Sequence, residues 1–173
     1  MEVRFVLPDL RRLDELKSEA LALALFEDVR PFQGALGLAD WRLAGHVSRL
    51  VVDGRVRGAR GERLLIPARP RLTLDKIFLF GAGPRERFRE ERYEDVVEEM
   101  LDTLDRARVR SSVVALPGRG IDAVEPADAF ATFLRLANAH PEHDQVTVID
   151  DAAGQRAMAP VLEQERRRVR AIG

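Results

Sequence analysis

The chain has no cysteine, and only two of its 28 basic residues, Lys17 and Lys76, are lysines. It carries one asparagine, Asn138, and one tryptophan, Trp41. Without cysteine there is no disulfide framework, no thiolate nucleophile and no cysteine-type zinc site, which fits a reducing cytoplasm. No apolar run approaches the roughly 18–20 residues that a transmembrane helix requires. The opening Met1 to Pro8 also lacks the long apolar segment and small-residue cleavage site of a signal peptide. A cytoplasmic protein without a membrane partner is therefore expected. An excess of either charge is missing too: 28 basic residues face 29 acidic ones, for a formal net charge of −1. This balance removes the general electrostatic case for nucleic acid as a partner. The arginine bias fits a GC-rich genome more simply than guanidinium-based ligand recognition.

What is present is 173 residues, 46% of them hydrophobic, enough for one domain over 1–173 with a substantial core. Val3 to Leu7 alternates around β-branched and aromatic residues and predicts a strand. Pro8-Asp9 then offers a break and an N-cap for a short helix carrying Leu10, Leu13 and Leu16 on one face. Ala20 to Phe26 is a continuous apolar run of buried-strand length. Glu27 to Ala39 reads as turn-rich, and Asp40 as the cap of a helix whose stripe is Leu43, Ala44, Val47, Leu50 and Val51. Arg63 to Pro67 and Lys76 to Phe80 predict two adjacent strands, the second broken by Gly81-Ala82-Gly83-Pro84. A long helix follows from about Phe88 to Ala107. Ser112 to Leu116 predicts a strand closed by Pro117-Gly118-Arg119-Gly120, and Pro126 opens a helix that His140-Pro141 stops. Val146 to Ile149 is a sixth strand. A last helix covers much of Ala153 to Arg170, with a kink or restart expected at Pro160.

The resulting order, β-α-β-α-β-β-α-β-α-β-α, predicts an α/β fold: a three-layer α/β/α sandwich around a six-stranded, mostly parallel mixed sheet. The third and fourth strands would supply an antiparallel pair at one side.

Three segments carry a resemblance. Ala20 to Asp28 is similar to an early strand of the N-terminal domain of the leucyl aminopeptidase family. Gly58-Ala59-Arg60-Gly61-Glu62-Arg63-Leu64-Leu65-Ile66-Pro67 resembles that domain's Gly-Glu ahead of an aliphatic strand. Lys76 to Gly83 resembles its strand ending in Gly-x-Gly. The resemblance runs from about Ala20 to Ala153 and implies a macro-domain-like fold. The family's two-metal chemistry lies in a separate domain marked by an Asn-Thr-Asp-Ala-Glu-Gly-Arg segment, which nothing here matches. The expectation is therefore a stand-alone relative of the non-catalytic half: no catalytic residues, no metal, no cofactor, and a role in association with a protein partner or a second copy.

The macro resemblance also implies an alternative, binding of ADP-ribose or another phosphorylated nucleotide. In such folds glycine-rich loops let backbone N–H groups approach a diphosphate. Gly34 and Gly37 lie where the first loop would be, and Gly118, Arg119 and Gly120 resemble the second. These five residues are the candidate ligand site. Each loop also reads as an ordinary turn, whose glycines accept conformations costly to other residues. An asparagine common to macro-type hydrolases is replaced around Phe26-Glu27-Asp28. His140 and His143 read as a solvated loop, because Pro141 disrupts a helical ligand geometry. Glu163 to Arg170 reads as a solvated helix end, and Trp41 as a core or interface anchor.

Overall fold

A computed structural model describes residues 1–172. Its elements are β1 (Glu2–Val6), α1 (Leu10–Glu15), β2 (Ala20–Phe26), α2 (Gly34–Arg42), α3 (His46–Val52), β3 (Arg63–Pro67), β4 (Lys76–Gly83), α4 (Glu90–Arg106), β5 (Ser111–Val114), α5 (Pro126–Ala137), β6 (Gln145–Ile149) and α6 (Ala152–Ile172). The six strands form one sheet in the order β1-β6-β5-β2-β4-β3. Every neighbouring pair is parallel except β3 against β4, so the adjacent third and fourth strands make the antiparallel edge that the sequence predicts.

β2 explains why the layers form. Its sequence, Ala-Leu-Ala-Leu-Ala-Leu-Phe, places alternate residues on opposite faces. Leu21, Leu23 and Leu25 enter the core layer covered by α1, α2 and α3. Ala20 and Ala22 enter the other layer, beneath Phe78, Phe80, Phe130 and Phe133. Small residues on one face therefore make room for bulky aromatics from β4 and α5. Each buried leucine contributes roughly 1.5–3 kcal/mol relative to exposure. On the aromatic side, α4 buries Tyr93, Val96, Val97, Met100, Leu101 and Leu104 at helical spacing. The Tyr93 hydroxyl donates to the Ala129 carbonyl at 2.6 Å, and burial raises its pKa above the ordinary phenol value.

Four local expectations change. The segment read as turn-rich contains α2, and Asp40 lies inside that helix rather than at a helix start. Its carboxylate still caps, but across a turn: Oδ1 accepts from the Val47 and Ser48 amides at the head of α3. Gly81-Ala82-Gly83 does not break β4 but completes it. Pro160 lies within a continuous α6, with Met158 and Leu162 buried on either side of it; packing of the flanking turns outweighs the missing N–H.

The histidines also differ from a solvated loop. His143 is 2% exposed, and its Nε2 lies 2.8 Å from the Ser112 hydroxyl. His140 Nδ1 lies 2.7 Å from Asp105 Oδ2, which ties the end of α5 to α4. The His143 amide donates to the His140 carbonyl at 3.1 Å, and the ring packs against Ser112 of β5 instead of pointing to water.

Two of the three segments that carry the family resemblance, Gly58–Pro67 and Lys76–Gly83, are halves of one clasp. The Glu62 carboxylate accepts from the backbone N–H groups of Arg57, Gly58 and Ala59 at 2.9, 2.6 and 3.2 Å. The loop so gathered is laid over the ends of β2 and β4. Gly81 donates to the Glu62 carbonyl and Gly83 to the Gly58 carbonyl, both at 2.8 Å. A Cβ at Gly81 would lie 1.8 Å from the Ala59 carbonyl oxygen. Glycine at that position is a steric requirement of the loop's approach.

Glu62→Ala is expected to lower stability by about 1–3 kcal/mol through three orphaned amides, and Gly81→Ala by more, because its obstacle is backbone. Urea unfolding of both variants measures this; wild-type midpoints for both would refute the clasp. A second expectation concerns pH. Burial, ahead of the smaller effects of nearby charges, lowers the His143 pKa below its ordinary 6.5. The unfolded chain then binds the extra proton first, so stability is full above about pH 6.5 and falls on acidification toward the folded pKa. His143→Gln is expected to flatten that part of the profile; an unchanged slope between pH 7.5 and 5 would refute the assignment.

Candidate functional site

The sheet's carboxyl edge is where a crevice must form. After β2 the chain passes to the α2 face, and after the neighbouring β5 it passes to the α5 face. Outgoing connections on opposite faces leave a gap between the two strand ends, the usual place for ligands in open α/β sheets. A cavity of about 200 Å³ lies there. Leu23, Leu25, Leu36 and Ile149 form its apolar walls, and Gly34 and the Gly118–Asp122 turn form its rim.

The structure brings Gly34 and Gly120 together. Gly34 has φ +57°, and a Cβ there would sit 3.0 Å from Gly120 Cα. The stretch from Gly34 to Leu38 is the first turn of α2 rather than a loop. Gly37 faces the preceding turn, where a Cβ would meet the Phe32 carbonyl oxygen at 2.7 Å. Gly118 has φ +81° and lies against the Phe88 ring, 2.7 Å from where its Cβ would be. Direct backbone contact between the two segments narrows the crevice from above. A strap ties its rim to the end of β2 from outside: Asp28 Oδ1 accepts from the Arg85 amide at 2.9 Å, and Arg85 Nη2 donates to the Ile121 carbonyl at 3.2 Å.

Arg119 does not project into open space. Its Nε and Nη2 donate to Asp150 Oδ2 and Oδ1 at 2.9 and 3.1 Å, and its Nη1 donates to the Val124 carbonyl at 2.8 Å. The two side chains are 9% and 4% exposed. Burial opposes the guanidinium charge, but hydrogen bonding and the charge of Asp150 outweigh it and raise the Arg119 pKa. The pair ties the turn after β5 to the end of β6. Asp150 itself rests on the first turn of α6, where a Cβ on Gly154 would lie 2.2 Å from Oδ1. Asp151 caps that helix by accepting from the Gly154 amide at 2.7 Å.

Sequence reasoning missed Asp150. The available signal was an Asp-Asp pair between an apolar strand and a helix, with one glycine shortly after it. With Asp122, Asp150 and Asp151 lining the cavity against Arg119 alone, the lining is net negative. Among the described residues, no group of three or more His, Cys, Asp and Glu side chains is placed to hold a metal ion. No helix among them is long and apolar enough to cross a membrane.

Comparison with known proteins agrees with this architecture. The chain is 30% identical over 131 residues to a probable cytosol aminopeptidase of Thermosynechococcus vestitus, covering 72% of this chain and 26% of that protein. It thus spans about a quarter of the length of that curated relative. Among solved structures, it is similar to tomato leucine aminopeptidase with a TM-score of 0.62 and 12% identity, covering 92% of this chain and 35% of that one. It is also similar to a Trypanosoma brucei macrodomain solved in complex with ADP, with a TM-score of 0.69 and 14% identity, covering 91% and 67%. These likenesses place the fold among macrodomains. The model of the cytosol aminopeptidase family's N-terminal domain matches residues 22–140, and the chain belongs to that family.

Proposed function

We propose that this chain is a single, non-catalytic association domain working in a cytosolic setting, and that its macro-type crevice serves the fold instead of a nucleotide. The observation that carries this reading is the Arg119–Asp150 pair. The one cation among the described residues that line the cavity is buried, held bidentately and neutralised from within. A diphosphate would have to displace Asp150 and then lie beside the other carboxylates. The two loops that would cradle it are in contact through Gly34 and Gly120. The remaining volume, about 200 Å³, is below the roughly 300–1,000 Å³ of pockets that enclose small molecules. Association is the role this reading leaves for a domain of this family with its crevice narrowed.

A second reading, a nucleotide binder, is favoured by one feature. The first turn of α2 lines the crevice, and Gln33 before it makes no side-chain cap, so amide groups at a helix N-terminus face the cavity. The neighbouring macrodomain solved with ADP supports the same alternative.

Titration calorimetry with ADP and ADP-ribose separates the two readings. No saturable heat is expected with either; a robust heat abolished by Gly120→Val would establish the binder. Purified protein supplied with manganese or zinc is expected not to cleave leucyl substrates, and cleavage would overturn the non-catalytic assignment. The latch has its own test. Asp150→Ala is expected to cost about 3–5 kcal/mol by stranding a buried guanidinium, whereas Arg119→Met with Asp150→Leu recovers most of it. Equal losses in the single and double variants would show that the pair does not act as a latch.

A further inference from the structure

The face of α2 and α3 that points away from the sheet carries a second feature. Trp41 is 70% exposed. The buried side of α2 is Ala35, Leu36, Ala39 and Asp40. Helical geometry turns a residue two positions beyond Ala39 by about 200°, which places Trp41 opposite the core. A groove of about 620 Å³ lies beside it, floored by Pro31, Phe32, Gly37 and Ala44. A large aromatic surface therefore faces solvent on the side of α2 away from the core.

The charges at the two ends of this groove are arginines, with Asp28 the one acidic neighbour that acts on Arg30. The Arg30 guanidinium lies 4.9 Å from the centre of the Phe32 ring and is anchored by Nη1 to the Phe26 carbonyl at 2.9 Å. Arg49 donates through Nη1 to the Ala44 carbonyl at 2.5 Å and lies beside Gly45 at the groove's other end. The only carboxylate in the lining belongs to Asp40, which is buried and spent on α3. Its Oδ1 accepts from two amides, and its Oδ2 accepts from the Ser48 hydroxyl at 2.5 Å. What faces solvent is an apolar strip with an exposed tryptophan and an arginine toward each end. Buried tryptophan and arginine are the residues that most often dominate binding energy at interfaces.

A second copy of this chain fits poorly. A two-fold contact centred on the groove sets the same patch on both protomers, which would bring Arg30 and Arg49 of one toward those of the other, with Asp28, already accepting from the Arg85 amide, as the nearby carboxylate. We infer that the groove docks an acidic segment of a partner protein, which inserts an aromatic or aliphatic side chain beside Trp41 and sets carboxylates against Arg30 and Arg49. This inference rests on the association reading and names the surface and partner chemistry it requires.

The test is selection of a random dodecapeptide phage library on the wild-type protein, with counter-selection on Trp41→Ala. Because Trp41 is exposed, that variant is expected to melt like wild type. Enriched peptides are expected to carry Asp or Glu on both sides of an aromatic or aliphatic residue. Their synthetic forms should shift the emission of Trp41, the only tryptophan in the chain, to the blue. Affinity should fall about tenfold or more in Arg30→Glu and, independently, in Arg49→Glu, and should weaken with salt. Enrichment of basic peptides, equal binding to Trp41→Ala, or no enrichment would overturn the inference. So would a concentration-dependent dimer in sedimentation that Trp41→Ala abolishes, since the occupant would then be a second copy. Calorimetry with ADP-ribose on the same preparation separates the two failures. A saturable heat there refutes the association reading itself, whereas loss of the peptide result alone removes only this groove.

Discussion

β2 must be dry on both of its faces, and the two faces are asked to do different things. Leucines on one side pack against short helices; alanines on the other leave depth for the phenylalanines of β4 and α5. This asymmetry decides where the bulk of the core sits and which connection crosses which face. It therefore also decides where the crevice opens, because the chain leaves β2 toward the leucine side and leaves β5 toward the aromatic side. A one-residue register slip would exchange the two sets and close neither layer.

The carboxyl edge of the sheet is held by contacts of three kinds. Glu62 gathers amides over the ends of β2 and β4, Gly34 and Gly120 touch backbone to backbone, and Arg119 joins Asp150 across the strand ends. Each uses a group of a kind that serves ligands elsewhere: a nest of amides, a pair of glycine turns and a guanidinium. In this chain the nest is occupied by its own glutamate and the guanidinium by its own aspartate. The same backbone geometry that suits anion capture thus works equally well as internal bracing, and only the partners of each group separate the two uses.

Much of the fold was legible in the sequence because it is written in local periodicity. The apolar run of β2, the helical stripe of α4, Pro126 at the head of α5 and the adjacent β3 and β4 all follow from patterns within a short window. What escaped depends on residues distant in sequence. Gly81 and Gly83 read as a strand break until Ala59 and Gly58 are placed over them. His143 reads as solvated until Ser112 is placed beneath it. α2 was hidden because Gly34 and Gly37 resemble a turn, although one permits contact with Gly120 and the other with the Phe32 carbonyl. For the candidate site, Gly34, Gly118, Arg119 and Gly120 lie at the crevice and Gly37 at the neighbouring groove, but the partner that decides what Arg119 does, Asp150, was not read from sequence. Nothing local links an arginine after β5 to an aspartate after β6.

The position of β1 in the sheet has a consequence for the chain's synthesis. β1 pairs only with β6, from Glu2 opposite Gln145 to Val6 opposite Ile149. A ribosome adding about 5–20 residues per second needs roughly 7–30 s to make the intervening chain. For that interval β1 has no partner in this sheet, while β2, β3 and β4 can already assemble. Glu2 and Arg4, both exposed, alternate with apolar residues along it, and charge on an unpaired strand discourages association with other nascent chains. β1 is thus made well before its partner and is locked in place among the last of the strands, with its charged face discouraging association in the interval.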